Sequence, residues 1–243
     1  MDKQMTVTDH LGELRYRLII SSVALLAGAT VIYLNMDKVI MWLTAPLSGK
    51  QLYFIGPADG FFTTIQIAVV GGIMVSLPVL IYQAIAFIMP GCTRQERKTI
   101  FSAIPPALIL FALGAGFGNQ VIFPLVLRFF MGVGEGYLNP MLLGGKYFSF
   151  LLLLTFGMGV FFEIPIVMIA LSRLGLVKSR KLRNTRLYGY IGVLLLIGLI
   201  VPTPDVLTLV AISAPVLLLY ESSIWVIYFM EKNKMKKENV NYA

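Results

Sequence analysis

The chain has 243 residues, of which 58% are hydrophobic and 13% charged, against about 45–50% and about 25% in an average soluble domain. That composition excludes a water-soluble globule. Twenty Lys and Arg against twelve Asp and Glu leave a formal charge of +8, but the basic residues sit in short blocks between long apolar runs, as membrane flanks do, and not on a nucleic-acid-binding face. Cys92 and His10 are the single cysteine and the single histidine, so no internal disulfide and no Cys/His metal cluster is expected, and no cofactor is implied. The first seventeen residues mix Asp2, Lys3, Asp9, Glu13, Arg15 and Arg17, and no small-residue cleavage site ends a brief apolar core, so the first apolar segment is expected to be retained.

A bilayer core about 30 Å thick takes roughly 20 apolar residues as helix. In chain order the predicted spans are six, over residues 18–35, 62–89, 100–130, 148–175, 187–201 and 206–229. The fold class is therefore an all-α polytopic membrane protein, organised as a single membrane domain over residues 1–243. Between the first two spans, the stretch Lys38–Leu47 with Trp42 and Pro46 suits a short interfacial helix. The third span contains Pro105, Pro106 and Pro124, each without an N–H donor, and breaks are expected there. The fifth reaches only about 22 Å at about 1.5 Å per residue, and the apolar part of the sixth stops at Glu221, so the last two helices are expected to be short. Joined by the Pro202-Thr203-Pro204-Asp205 turn, they would thin the bilayer or cross it incompletely. Sixteen of the Lys and Arg residues fall on the side of the two termini and four on the other, which predicts both termini in the cytoplasm.

Glu163 stands out among the acids. It lies near the middle of the fourth span, in FGMGVFFEIP (156–165), where an ionised side chain facing lipid would cost about 2.5–3.5 kcal/mol. It is therefore expected to face a protein interior or a wet cavity, either as a functional acid or as a carboxyl that fixes helix packing. Gly157, Gly159 and Pro165 favour a bent helix there. Glu13 and Glu96 flank the first and third spans beside Arg15, Arg17, Arg94 and Arg97. Each reads as an ordinary neutralised surface acid or, if the two loops are neighbours, as half of a carboxylate pair able to take forked hydrogen bonds from guanidinium groups, a geometry that lysine lacks. Gly114-Ala-Gly116-Phe-Gly118 lacks nucleotide-loop spacing and reads as helix packing or kink material. The Lys-rich tail suits solvent and anionic lipid, and His10 suits packing or capping. On residues alone, a proton-coupled small-solute secondary transporter using Glu163 is the first reading, although the two halves show no inverted repeat. No HExxH and no Ser/His arrangement appears, so an enzyme is not expected.

Taken together, HLGELRYRL (10–18), TAPL (44–47), GPADGF (56–61), PVLIYQAIAFIMPG (78–91) with QER (95–97), FALG (111–114), IFP (122–124), FGMGVFFEIP (156–165), RLY (186–188), TPD (203–205) and LLYE (218–221) closely resemble the TatC family, the multispanning receptor of the twin-arginine protein translocase. The resemblance covers nearly the whole chain. It implies a receptor in the cytoplasmic (inner) membrane of a prokaryote that binds the Arg-Arg motif in the signal peptide of a folded cargo protein. It also implies self-association, recruitment of single-span TatA/TatB-type partners and transport driven by the proton-motive force without nucleotide. By position, Glu13 and Glu96 correspond to the family's carboxylates for the twin arginines, with Arg15, Arg17, Phe87, Pro90 and Arg97 around them. Glu163 and Pro165 correspond to its intramembrane acid and the helix lining a concave, lipid-open groove, and Pro46 and Asp205 to positions that shape its outer turns. The chain departs from the family at Gln66, Cys92, Gly118-Asn119-Gln120 and Thr208-Leu209.

Overall fold

A bilayer core offers no water to peptide groups, so an apolar chain must pair its N–H and C=O groups internally. The computed structural model follows that demand: among the described residues, which are 7–47, 49–91, 93–132, 141–200 and 206–241, there is no strand, only one parallel bridge between Tyr53 and Leu143. The helices are α1 (Val7–Leu34), α2 (Met36–Thr44), α3 (Asp59–Ile88), α4 (Arg94–Phe117), α5 (Phe123–Gly132), α6 (Gly144–Phe162), α7 (Ile164–Arg173), α8 (Ser179–Asn184), α9 (Arg186–Ile200) and α10 (Val206–Asn241). Five stretches are long and apolar enough to cross a membrane, Thr8–Leu34, Asp59–Gly91, Glu96–Gly132, Gly144–Arg173 and Thr208–Asn233, and α9 is shorter. The Pro202-Thr203-Pro204-Asp205 turn, including the expectation for Asp205, lies outside the described residues, as does Cys92.

The chain forms two compact units, one from the described residues of Met1–Ile104 and Asn139–Leu152, the other from those of Pro105–Leu138 and Leu153–Ala243. In the first, α1 and α3 run antiparallel, with Gly28 against Gly72 and Ile32 against Gly71. A Cβ on Gly72 would stand 2.6 Å from the backbone nitrogen of Ala29, and one on Gly28 2.7 Å from the Gly72 carbonyl oxygen. Helices in lipid gain no hydrophobic drive from meeting, so close backbone approach at small residues supplies the attraction. The expected short helix is α2, which a 3₁₀ turn at Ala45–Leu47 carrying Pro46 follows. The Tyr147 hydroxyl donates to the buried Leu43 carbonyl at 2.8 Å. Asp59 Oδ2 accepts from the backbone amides of Ile55 and Gly56 at 3.1 and 2.9 Å, closing the turn that opens α3.

In the second unit, α4 meets α6 through glycine. A Cβ on Gly114 would stand 2.6 Å from the Met158 carbonyl oxygen, and one on Gly159 2.7 Å from the Phe111 ring. The core around them includes Phe123, Leu154, Met158, Ile197, Val216 and Ile227, all almost fully buried.

Three expectations change. Pro105 and Pro106 do not break α4, which continues through both; the interruption comes later, as a π turn over Gly118–Ile122. The wider turn ends two residues before Pro124, whose ring and missing N–H oppose ordinary α geometry in the turn that precedes it. Among the described residues α1 already runs from Val7, so Glu13, Arg15 and Arg17 lie on a helix that continues into the first apolar stretch and not on a loop ahead of it. The sixth predicted span belongs to α10, which does not stop at Glu221 but runs to Asn241, because Glu221 finds partners inside the fold.

Replacing Gly72 by Val should force α1 and α3 apart and destabilise the protein by about 1–3 kcal/mol, seen as a lower midpoint of thermal unfolding in detergent. Gly116→Ala, at a site with open space around it, should leave that midpoint nearly unchanged.

Candidate functional site

Glu13 and Arg17 are one helical turn apart, the spacing and order at which an acid and a base attract. Arg17 Nη2 and Nε donate to Glu13 Oε1 at 2.6 and 3.0 Å. Its Nη1 donates to Oε1 of Gln83 at 3.0 Å, so one guanidinium fork links α1 to the buried Gln83 of α3. An exposed pair of this spacing contributes only about 0.3–0.5 kcal/mol; here its role is orientation, because the Gln83 bond fixes where the carboxylate stands. Glu13 Oε2 is buried and accepts no hydrogen bond from the described residues. Such an acceptor costs about 1–3 kcal/mol until a donor reaches it.

Glu96 occupies the third residue of α4 and forms a capping box with Thr93. Thr93 N and Oγ1 donate to Glu96 Oε2 at 2.7 and 2.9 Å, and Glu96 N returns a bond to Thr93 Oγ1 at 3.4 Å. These bonds satisfy amides that a helix start leaves orphaned and hold the side chain at the helix mouth. Oε2 is engaged, and Oε1 is left to meet another donor. Glu13 and Glu96 thus have separate partners, and both belong to the first unit.

The remaining residues of the predicted patch fall into two groups. Phe87, near the end of α3, stacks on His10 of α1 with ring centroids 4.3 Å apart and planes 16° from parallel, which gives the lone histidine its packing role. Pro90 is exposed in the 3₁₀ turn Met89–Gly91 between α3 and α4. Arg15 and Arg97 are both exposed and point their charge outward, and no ion pair holds either among the described residues.

In the second unit, Glu163 is not in mid-helix. It occupies the one-residue gap between α6 and α7, with Pro165 buried in the first turn of α7. The proline ring opposes a continuous helix through this point. Glu163 Oε1 is buried and has no hydrogen-bond partner among the described residues, so the break carries an unsatisfied polar atom. Glu221 is treated differently: Arg186 Nη2 stands 3.1 Å from its Oε2, and the Tyr190 hydroxyl donates to its Oε1. That joins two separate sequence signatures, RLY and LLYE, at one carboxylate. No group of three or more His, Cys, Asp or Glu residues that could hold a metal occurs among the described residues.

A sequence profile for the Sec-independent protein translocase protein (TatC) matches residues 9–215. The chain is 34% identical over 239 residues to the Sec-independent protein translocase protein TatC of Carboxydothermus hydrogenoformans, covering 98% of both chains. It is 32% identical over 244 residues to TatCd of Bacillus subtilis, covering 100% of both. It also superposes on a crystal structure of the twin arginine translocase receptor TatC in DDM with a TM-score of 0.78 and 33% identity, over 90% of this chain and 99% of that one. The chain belongs to the TatC family.

Family membership makes it a multi-pass membrane component of a protein translocase, and not an enzyme. Three contacts of this TatC chain are at most partly legible in its sequence alone. Gln83 was visible only as an isolated amide in an apolar run, and Thr93 only as the first residue of a T-x-x-E box. Tyr190 carried no sequence signal, because its partner Glu221 lies 31 residues away.

Thr93→Ala should remove the cap at a cost of about 1 kcal/mol, and amide exchange in the first turn of α4 should accelerate about fivefold. Glu96→Gln preserves the box and should leave that exchange close to the parent protein's.

Proposed function

We propose that this TatC chain is the receptor subunit of a twin-arginine translocase. Glu13 and Glu96 take the consecutive arginines of a cargo signal peptide at the cytoplasmic face, and TatA/TatB-type single-span proteins are then recruited for export driven by the proton-motive force. The observation that carries this reading is that Glu13 already holds a guanidinium on one oxygen while its other oxygen is buried and without a donor. The site is built for arginine and is half filled.

Two guanidiniums present ten N–H donors in planar forks. They suit Glu13 Oε2 and Glu96 Oε1, the two acceptors that the internal partners leave over. Two lysines would bring the charge without the forks. Arg17 and Gln83 act as positioning residues, holding Glu13 in place. Arg15 and Arg97 border the patch, and His10 with Phe87 and Pro90 supplies its apolar side. Since exposed ion pairs contribute about 0–1 kcal/mol, affinity must be shared with burial of the signal peptide's apolar stretch. The basic residues that flank the spans support an inner-membrane, N-in/C-in topology in a prokaryote, and copies of the chain would associate with one another in the working translocase.

Glu163 suits a separate task. A carboxyl at a helix break, with a buried oxygen lacking a donor, offers a polar contact to the transmembrane helix of a partner. The same broken-helix geometry occurs in solute transporters, but the translocase family to which the chain belongs favours the partner role.

Photo-crosslinking of an Arg-Arg signal peptide to the detergent-solubilised chain should succeed. Yield should fall about tenfold or more, as loss of charge-assisted hydrogen bonds implies, with a Lys-Lys peptide and with Glu13→Gln or Glu96→Gln; equal yields would remove the arginine site. Glu163→Ala should reduce co-purification of a TatA/TatB-type partner more than it reduces that crosslink, and the reverse pattern would transfer Glu163 to signal recognition.

A further inference from the structure

The second unit holds cationic groups that the receptor reading does not use and that the fold uses only in part. Where α8, the start of α9 and the later turns of α10 meet, a cleft of about 230 Å³ is lined by Arg183, Arg186, Ile224, Trp225 and Tyr228. The Arg183 guanidinium lies 5.2 Å from the centroid of the Tyr228 ring, a contact that orients the charge without neutralising it. No acid among the described residues pairs with Arg183. Arg186 gives Nη2 to Glu221, but its Nε is buried with no acceptor among the described residues.

The neighbouring acids are bonded elsewhere among the described residues. Glu221 has its second oxygen engaged by Tyr190. Glu231 receives the backbone amide of Ser179 at 3.0 Å on one oxygen and the Ser179 hydroxyl on the other. The charge of Arg183 and the side chain of Arg186 therefore line the same cleft, and the Arg186 Nε buried beside it has no acceptor among the described residues. Arg180 and Lys181 of α8 add to the positive field. Trp225 is 52% exposed, while Ile224 is 1% exposed and forms the apolar floor. Arg186 opens α9, and Tyr228 lies near the end of the apolar stretch Thr208–Asn233. The cleft thus sits at the level of lipid headgroups, where indole and guanidinium side chains collect.

The geometry points to a binding site for the phosphate of an anionic phospholipid, which would accept from Arg186 Nε and from the Arg183 fork while its glycerol and upper acyl chains cover Trp225. Phosphate matches planar guanidinium donors, and the uncompensated charge favours an anionic over a zwitterionic headgroup. The exposed indole and the apolar helices beside the arginines favour lipid over free phosphate as the source. This inference is independent of signal-peptide binding.

In a Trp42→Phe background Trp225 is the remaining indole, and its quenching by lipids with brominated acyl chains reports which lipid touches it. Bilayers mixing phosphatidylglycerol with phosphatidylcholine, brominated on one lipid and then on the other, should show phosphatidylglycerol enriched at Trp225. Arg183→Gln should lower that preference about fivefold. Arg186→Lys keeps the charge and can keep the Glu221 pair but lacks Nε, and it should lower the preference as well. Equal quenching by both lipids in the parent, or an unchanged preference in both variants, overturns the site. Inorganic phosphate at constant ionic strength should leave the preference intact; its loss would assign the arginines to a soluble anion and overturn the lipid assignment.

Discussion

An apolar slab gives a polar group nothing to bond with, so every such group must find its partner within the chain or wait for one from outside. This constraint orders most of what the structure shows. It makes the backbone helical and ties Tyr147 to the Leu43 carbonyl. It also explains why an acid such as Glu221 can sit in a membrane helix that continues past it. Arg186 and Tyr190 supply its donors, and α10 does not need to end.

The glutamates show three degrees of satisfaction. Glu221 has both oxygens bonded. Glu13 has one oxygen held by Arg17 and one with no donor, and Glu163 has a buried oxygen with no donor at a break in the helix. Acids that are fully satisfied serve the fold. Those left incomplete can be completed by something that binds, and for that reason the proposed receptor function rests on Glu13 and the proposed partner contact on Glu163. Glu96 belongs to both groups, since it closes the start of α4 with one oxygen and keeps the other available. Its structural and recognition roles are separable, because glutamine can perform the first without the charge that the second needs.

Arginine makes two of the links between elements. Arg17 joins a carboxylate on its own helix to an amide on another, and Arg186 joins α9 to α10. A planar fork with several fixed donors can serve two acceptors at once, which a lysine ammonium on a flexible stem does poorly. The selectivity proposed for the signal peptide is the same chemistry applied to an incoming chain.

Composition and the length of the apolar runs by themselves determined a helical membrane protein with several long apolar helices and a shorter α9, because burial in lipid depends on side-chain polarity summed along the sequence. The ordered signatures also determined the family. Local rules could have revealed the Thr93–Glu96 box, since its partners are three residues apart. Pro165 and Pro124 announced irregular helix near Glu163 and in the third span, but only the structure decided which prolines are tolerated, with Pro105 and Pro106 inside an intact α4, and that Gln83 steadies Arg17. The Gln83 bond spans 66 residues, and a contact between residues so far apart in the chain leaves no periodic trace in its sequence.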